Sequence, residues 1–223
     1  TAHSGSCHNT SNLKTFIAMG EKLYLYPVWV RLWHGMNAIL IILLIITGIS
    51  MQYSDPAFPI MRFDIAVKLH DIAGIILVIS YLIFLAGNLV TPNGDQYLFR
   101  RKGYFKKLMK QAHYYAFGIF KKEEPPFTIT ASNKFNPLQR FSYVFIMYLS
   151  MPIVIITGLM LLYPEYLLHD VFGTFALHFT DIVHVIIGFI ISIFLIVHVY
   201  FCTIGPKPLS NFRSIIRGYH ETH

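Results

Sequence analysis

The chain has 223 residues, of which 55% are hydrophobic and 13% charged, with a formal charge of +7 and a mean hydropathy of +0.53. Soluble domains carry roughly 25% charged residues, so the composition excludes one and points to a membrane protein. The positive charge invites a nucleic-acid reading, but its distribution argues against one: of the 18 Lys and Arg, all except Arg62 and Lys68 fall in the N-terminal arm, the central loop or the C-terminal tail, counting helix ends.

Residues 1–22 read as a loose arm, since Thr1–Ser11 is rich in Ser, His and Asn without an apolar period. Within it, Ser4-Gly5-Ser6-Cys7-His8 resembles a c-type haem attachment site without its first cysteine; a flexible tail is the plainer reading. The other cysteine, Cys202, ends up on the same side of the membrane, so no disulfide framework is implied. A single membrane domain is expected over residues 23–218. It contains four windows long enough to cross a hydrocarbon core of about 30 Å: Val28–Met51, Ala66–Val90, Leu138–Tyr163 and Phe175–Ile204. No cleavable signal is visible, and the first span is expected to serve as its own insertion signal. A β-barrel would need short alternating segments, which this sequence does not contain. The fold class expected is an all-α membrane protein, a four-transmembrane-helix bundle.

Lys and Arg accumulate in cytoplasmic loops, whereas the segment between the last two windows has only Glu165 and Asp170 as charges. This places both termini and the central loop, residues 91–137, in the cytoplasm, with two short loops outside. Inside the central loop, Tyr104, Phe105, Leu108, Met109, Ala112, Tyr115, Ala116 and Ile119 follow a helical period, with Lys106, Lys107, Lys110 and His113 on other faces. Such a basic amphipathic helix lies in the headgroup region, with anionic lipid or another subunit as its partner. Pro125-Pro126 ends the stretch, and residues 219–223 form a tail.

A faint internal repeat runs through the spans. Arg31 leads to Thr47-Gly48 in the first and Arg140 to Thr157-Gly158 in the third; His70 with Gly74 in the second is echoed by His184 with Gly188 in the fourth. Tyr143 stands in the third span where the first has His34, so the third helix is expected to supply no metal ligand.

Four histidines, His34, His70, His184 and His198, sit in otherwise apolar windows, where an ionisable group is costly and usually functional. His184 and His198 lie 14 residues apart, almost four turns, so both leave one helix face about 21 Å apart along the axis. Helix direction matches their depths: His34 with His198 near the cytoplasmic face, His70 with His184 near the outer face. Neutral imidazole is a good iron ligand, and two per iron leave no open position, which suits electron transfer and not oxygen binding. Two b haems are therefore expected, an inner one on His34 and His198 and an outer one on His70 and His184. Zinc fits less well, because no Cys, Asp or Glu cluster accompanies either pair. A proton relay fits less well too, since Asp71 and Asp181 lie at outer helix ends. Gly74 and Gly188 would leave room for a porphyrin or allow tight helix packing. Arg31 and Arg140 are placed to pair with haem propionates or to snorkel at the interface.

Pro27-Val-Trp-Val-Arg31-Leu-Trp33-His34 with Thr47-Gly48, followed by His70, His184 and His198-Val-Tyr-Phe, resembles the b-type cytochrome subunits of nickel–iron hydrogenases. That superfamily includes the formate dehydrogenase gamma subunit and the thiosulfate-reductase cytochrome b. The resemblance covers roughly Leu23–Gly218. It implies a diheme subunit of a larger complex in the bacterial inner membrane. Such a subunit carries electrons between a periplasmic redox partner and a quinone, menaquinone or ubiquinone, at the cytoplasmic side. The partner would be a hydrogenase, a dehydrogenase, a reductase or a multihaem c-type cytochrome. The relatives' Tyr-Asn-x-x-Gln-Lys element is matched by Phe135-Asn136-Pro137-Leu138-Gln139-Arg140, which implies a quinone contact at Asn136 and Gln139. Phe replaces Tyr there, and a plain helix cap with Pro at its first turn is the alternative. Two rival functions stay open: a free-standing b561-type quinone oxidoreductase, and a non-redox transporter or scaffold whose histidines only pack.

Overall fold

In a computed structural model the chain is described for residues 22–53, 60–98, 103–127, 130, 134–165, 173–204 and 209–221. Four long apolar helices dominate: Val28–Gln52, Phe63–Val90, Pro137–Leu162 and Gly173–Thr203, called here the first to fourth spans. Each is within three residues of its expected bounds. Their outward faces are apolar throughout, with Ile39, Leu82, Phe189 and Ile196 all more than half exposed. Side chains of this kind face lipid, and a helix satisfies its own backbone there.

The helix ends have local causes. Pro27 precedes the first span and Asn136-Pro137 opens the third, Pro being tolerated where the N–H has no intrahelical partner. Thr91 closes the second span by donating to the Gly87 carbonyl at 2.7 Å, then accepts from the Asn93 amide at 3.3 Å to start the 3-10 turn Pro92–Tyr97. The third span carries a π-helical stretch at Phe145–Ser150. Pro152, two residues beyond it, has no N–H for the ordinary helical bond to Tyr148 and crowds that carbonyl. Tyr81 of the second span donates to the neighbouring Met147 carbonyl at 2.9 Å, tying the two helices at this irregularity.

The first span packs chiefly on the second and the third on the fourth. Small residues allow the first contact, with Thr47, Ser50, Ala66 and Ala73 all buried between the helices. The core continues through Trp33, Leu40, Leu77, Phe84, Ile146 and Ile191. Trp33 donates to the Ser80 carbonyl at 3.0 Å and stacks on Phe84 with ring centres 4.5 Å apart.

The chain ends meet. Where the sequence leads one to expect a tail over residues 219–223, Tyr219–Glu221 forms a strand, β2, antiparallel to Lys22–Tyr24, β1. A short helix, Ser210–Arg217, precedes it and stops at Gly218 with φ 88°, a left-handed value that favours glycine. The Gly218 carbonyl then accepts from the Leu25 and Tyr26 amides. The expected amphipathic segment is a helix over Tyr104–His113 that widens into a π turn over Tyr114–Gly118. That widening divides its apolar residues between two faces. Tyr104 donates to the Pro137 carbonyl and the Tyr115 ring lies 4.6 Å from Phe201, whereas Phe105, Met109 and Phe117 are exposed.

Candidate functional site

The four expected histidines form two cross-helix pairs. His34 of the first span faces His198 of the fourth with ring centres 6.3 Å apart and planes at 56°. This terminal pair lies at the end of the bundle where β1 and β2 meet. His70 of the second span faces His184 of the fourth at 6.2 Å and 69°. This loop pair lies toward the opposite end. The fourth span's backbone does not pack closely on the first or second helix, so its histidines reach across a wider gap than ordinary helix packing leaves.

That spacing fits one iron between each pair of rings. Two metal–imidazole bonds of about 2 Å, plus ~1 Å from each nitrogen to its ring centre, put trans imidazoles roughly 6 Å apart. A Cβ built on Gly74 or Gly188, one turn from the loop-pair histidines, meets nothing within 4 Å, and neither does one on Gly35 beside His34. The donor set and the space around it therefore suit porphyrins held between helices. Among the described residues there is no group of three or more His, Cys, Asp or Glu.

Each loop-pair ring has a hydroxyl behind it. Thr47 Oγ1 lies 2.9 Å from His70 Nδ1, and Thr157 Oγ1 lies 3.0 Å from His184 Nδ1. Both threonines also donate back to their own helix, to the Leu43 carbonyl and the Ile153 carbonyl at 2.8 Å. The adjacent glycines differ: a Cβ on Gly158 would sit a tight 3.1 Å from His184 Cε1, whereas one on Gly48 would keep an ordinary 3.6 Å from His70 Cε1.

The terminal pair is held differently. His198 stacks on Phe194 with ring centres 5.5 Å apart, takes the Tyr143 ring edge-on at 5.8 Å, and has Cys202 Sγ at 3.8 Å from Nε2. A cleft beside His34 is lined by Arg31, Leu32, Gly35, Ile215 and Ile216. Arg31 donates to the Ile216 carbonyl, so it fastens the last helix over this cleft. Tyr26, just before the first span, has its hydroxyl pushed up to about 12 by burial and, secondarily, by Cys202.

The remaining expected site residues have structural partners. Asn136 and Gln139 form a reciprocal helix cap: Asn136 Oδ1 accepts from the Gln139 amide at 2.9 Å, and Gln139 Oε1 accepts from the Asn136 amide at 3.2 Å. Asn136 Nδ2 donates to the Tyr115 hydroxyl at 2.8 Å. Both side-chain oxygens are thus engaged in the cap, as the alternative reading of Asn136-Pro137 expects. Arg140 is half-buried, with a 3.5 Å approach to the Leu98 carbonyl. Outside the pairs and not an expected site residue, His178 is exposed and contacts the Thr174 carbonyl on its own helix. His113 is exposed too, whereas Cys7 and His8 lie outside the described residues.

Sequence reasoning missed the roles of Thr47, Thr157 and Tyr115. The repeat of Thr-Gly in the first and third spans was the available signal for the threonines. For Tyr115 there was none, because only the folded loop brings it beside Asn136 and Phe201.

Comparison with known proteins agrees with this architecture. The family described as Prokaryotic cytochrome b561 matches residues 25–218. A curated protein of Escherichia coli (strain K12), named "Putative cytochrome YdhU", is 39% identical over 202 residues, covering 91% of this chain and 76% of its own length. No solved structure matches the chain significantly.

Proposed function

We propose that this chain, which belongs to the prokaryotic cytochrome b561 family, is a two-haem conductor that passes electrons across the membrane between an external redox protein and a quinone. Membership in the family brings b-type haem, electron transfer and a multi-pass membrane setting. The finer reading adds two haems, the loop pair His70 and His184 holding the outer one and the terminal pair His34 and His198 the inner one. The observation that carries it is the common ring spacing of both pairs, 6.2 and 6.3 Å, with one ligand of each supplied by the same helix.

When bound, the haems would supply two one-electron carriers. The protein's part is to orient four imidazoles, keep water away and set the order of the two sites. Thr47 and Thr157 hold the loop-pair rings by Nδ1, which leaves Nε2 as the nitrogen that would hold a metal. Phe194 and Tyr143 hold His198 by ring packing. Quinone chemistry belongs at the cytoplasmic side, where Gln139, Asn136 and Tyr115 lie near the terminal pair. There a quinone takes up two electrons and two protons to give the quinol, or the reverse, while the external partner is oxidised or reduced by two electrons. Arg31 and Arg140 flank that side and suit anionic propionates. The basic central loop and both chain ends face the cytoplasm in the bacterial inner membrane, and the amphipathic segment rests on anionic lipid.

The test is a reduced-minus-oxidised optical spectrum with haem quantified per chain in the purified protein. Two b haems per chain are expected, and a preparation that binds none under haem-replete expression would overturn the reading in favour of a non-redox scaffold. Mass spectrometry of co-purified proteins checks the external partner. Full quinone activity without any companion would replace the complex with a free-standing oxidoreductase.

A further inference from the structure

We infer that Thr47 and Thr157 are positioning residues that fix the loop-pair imidazoles in one tautomer and lower the potential of the haem between them. This rests on the reading that His70 and His184 ligate one haem.

The tautomer follows from counting protons. A threonine hydroxyl has one hydrogen to give, and a backbone carbonyl can only accept. Thr47 Oγ1 lies 2.8 Å from the Leu43 carbonyl and 3.2 Å from that of Leu44, so its hydrogen is spent on its own helix. What faces His70 Nδ1 at 2.9 Å is therefore an oxygen lone pair, and the ring nitrogen must donate. Thr157 repeats this with the Ile153 carbonyl at 2.8 Å, the Val154 carbonyl at 3.2 Å and His184 Nδ1 at 3.0 Å.

A hydroxyl that already donates is a stronger acceptor, because bonds in a chain polarise one another. It draws the Nδ1 proton outward and makes Nε2 a stronger donor to a metal. Stronger donation stabilises the oxidised iron over the reduced, which lowers the potential. Both rings of the loop pair receive this. Among the described residues neither His34 nor His198 has its ring on an oxygen acceptor.

The experiment is an optical redox titration of the full-length protein, comparing wild type with Thr47→Val, Thr157→Val and Thr47→Ser. His70→Ala identifies which component belongs to the loop pair. Each valine variant is expected to shift that component to higher potential by about tenfold in the one-electron equilibrium, ~59 mV, leaving the other component in place. Serine keeps the hydroxyl and is expected to titrate as wild type. Valine variants with both haems bound and unmoved potentials would overturn the inference. So would a serine variant that behaves like valine, since the methyl group would then be what matters. If valine loses the loop-side haem outright, retention in serine supports the hydrogen bond and loss in both counts against it. Failure of the underlying reading looks different: the wild type binds fewer than two haems, or His70→Ala keeps both.

Discussion

His70 and His184 are braced by hydroxyls from the helices packed behind them, whereas His198 is held by aromatic rings and His34 lies beside a cleft that the last helix covers. The difference follows from the repeat. At the loop end both halves of the sequence contribute the same unit, a Thr-Gly on one span supporting a His on the next, and two such units face each other. At the terminal end the halves diverge. The position 14 residues after His184 is His198, but the position 14 after His70 is Phe84; the counterpart of His34 in the third span is Tyr143. Phe84 is buried among Trp33, Tyr97 and Tyr148, so that half of the terminal end is an aromatic core. The sequence thus carries two histidine pairs, one pseudo-symmetric and one not.

The largest expected effect separates the two pairs outright. On the proposed two-haem reading, His70→Ala or His184→Ala is expected to remove one haem per chain and leave the other, measured by haem content and by the optical spectrum. His34→Ala and His198→Ala are expected to remove the complementary component. A His70→Ala protein that retains both haems would show that these rings do not share an iron.

How much of this was legible in the sequence differs between the pairs for a physical reason. Charge-free windows and helix direction fix the depth of a residue, and depth alone pairs His34 with His198 and His70 with His184. The spans were legible to within three residues because hydrocarbon thickness sets their length. Depth says nothing of what touches a ring from behind, so Thr47 and Thr157 stood only as markers of a repeat. The central loop was half legible: its period showed a helix, but the π turn at Tyr114–Gly118 that rotates Tyr115 toward Asn136 follows from docking on the third and fourth spans. Nor does any local pattern pair Lys22–Tyr24 with Tyr219–Glu221, which meet only once four helices have brought the ends together.

The symmetry of the loop pair can be broken from behind one ring. A methyl on Gly158 would sit 3.1 Å from His184 Cε1, while one on Gly48 keeps an ordinary 3.6 Å from His70. Overpacking of this kind costs about 1–3 kcal/mol, and a displaced ligand loses roughly 10–100-fold in metal affinity. Gly158→Ala is therefore expected to weaken loop-side haem retention in a competition assay with apomyoglobin, and Gly48→Ala to stay near wild type. Equal losses would mean that the two halves of the pair are equally tight.

Alkaline titration sharpens the contrast from the other end. The Tyr26 hydroxyl is raised from 10.0 to about 12, burial being the larger cause. A neutral phenol is thus favoured in the folded chain. Its contribution is fully present below pH 10 and lost as pH climbs through about 12. The terminal-pair component is expected to change spectrally across that window before the loop-pair component does, and Tyr26→Phe to remove the difference. Simultaneous loss of both components would point to global unfolding and not to Tyr26.

The smallest effect tests whether the folded-over chain ends matter to the terminal pair at all. Gly218 holds φ 88° between the last helix and β2, and its carbonyl accepts from the Leu25 and Tyr26 amides. Alanine at a left-handed position costs about 1 kcal/mol or slightly more, and here its Cβ would also lie 3.0 Å from the Tyr26 carbonyl and 3.3 Å from Arg31. Gly218→Ala is expected to loosen the last helix from Arg31 and open the cleft beside His34. Both haems should stay bound, with faster hydrogen exchange at Leu25 and Tyr26 and none gained around Thr47 or Thr157. If exchange rises equally at both ends, the strands hold the whole bundle together and do not cover the terminal pair alone.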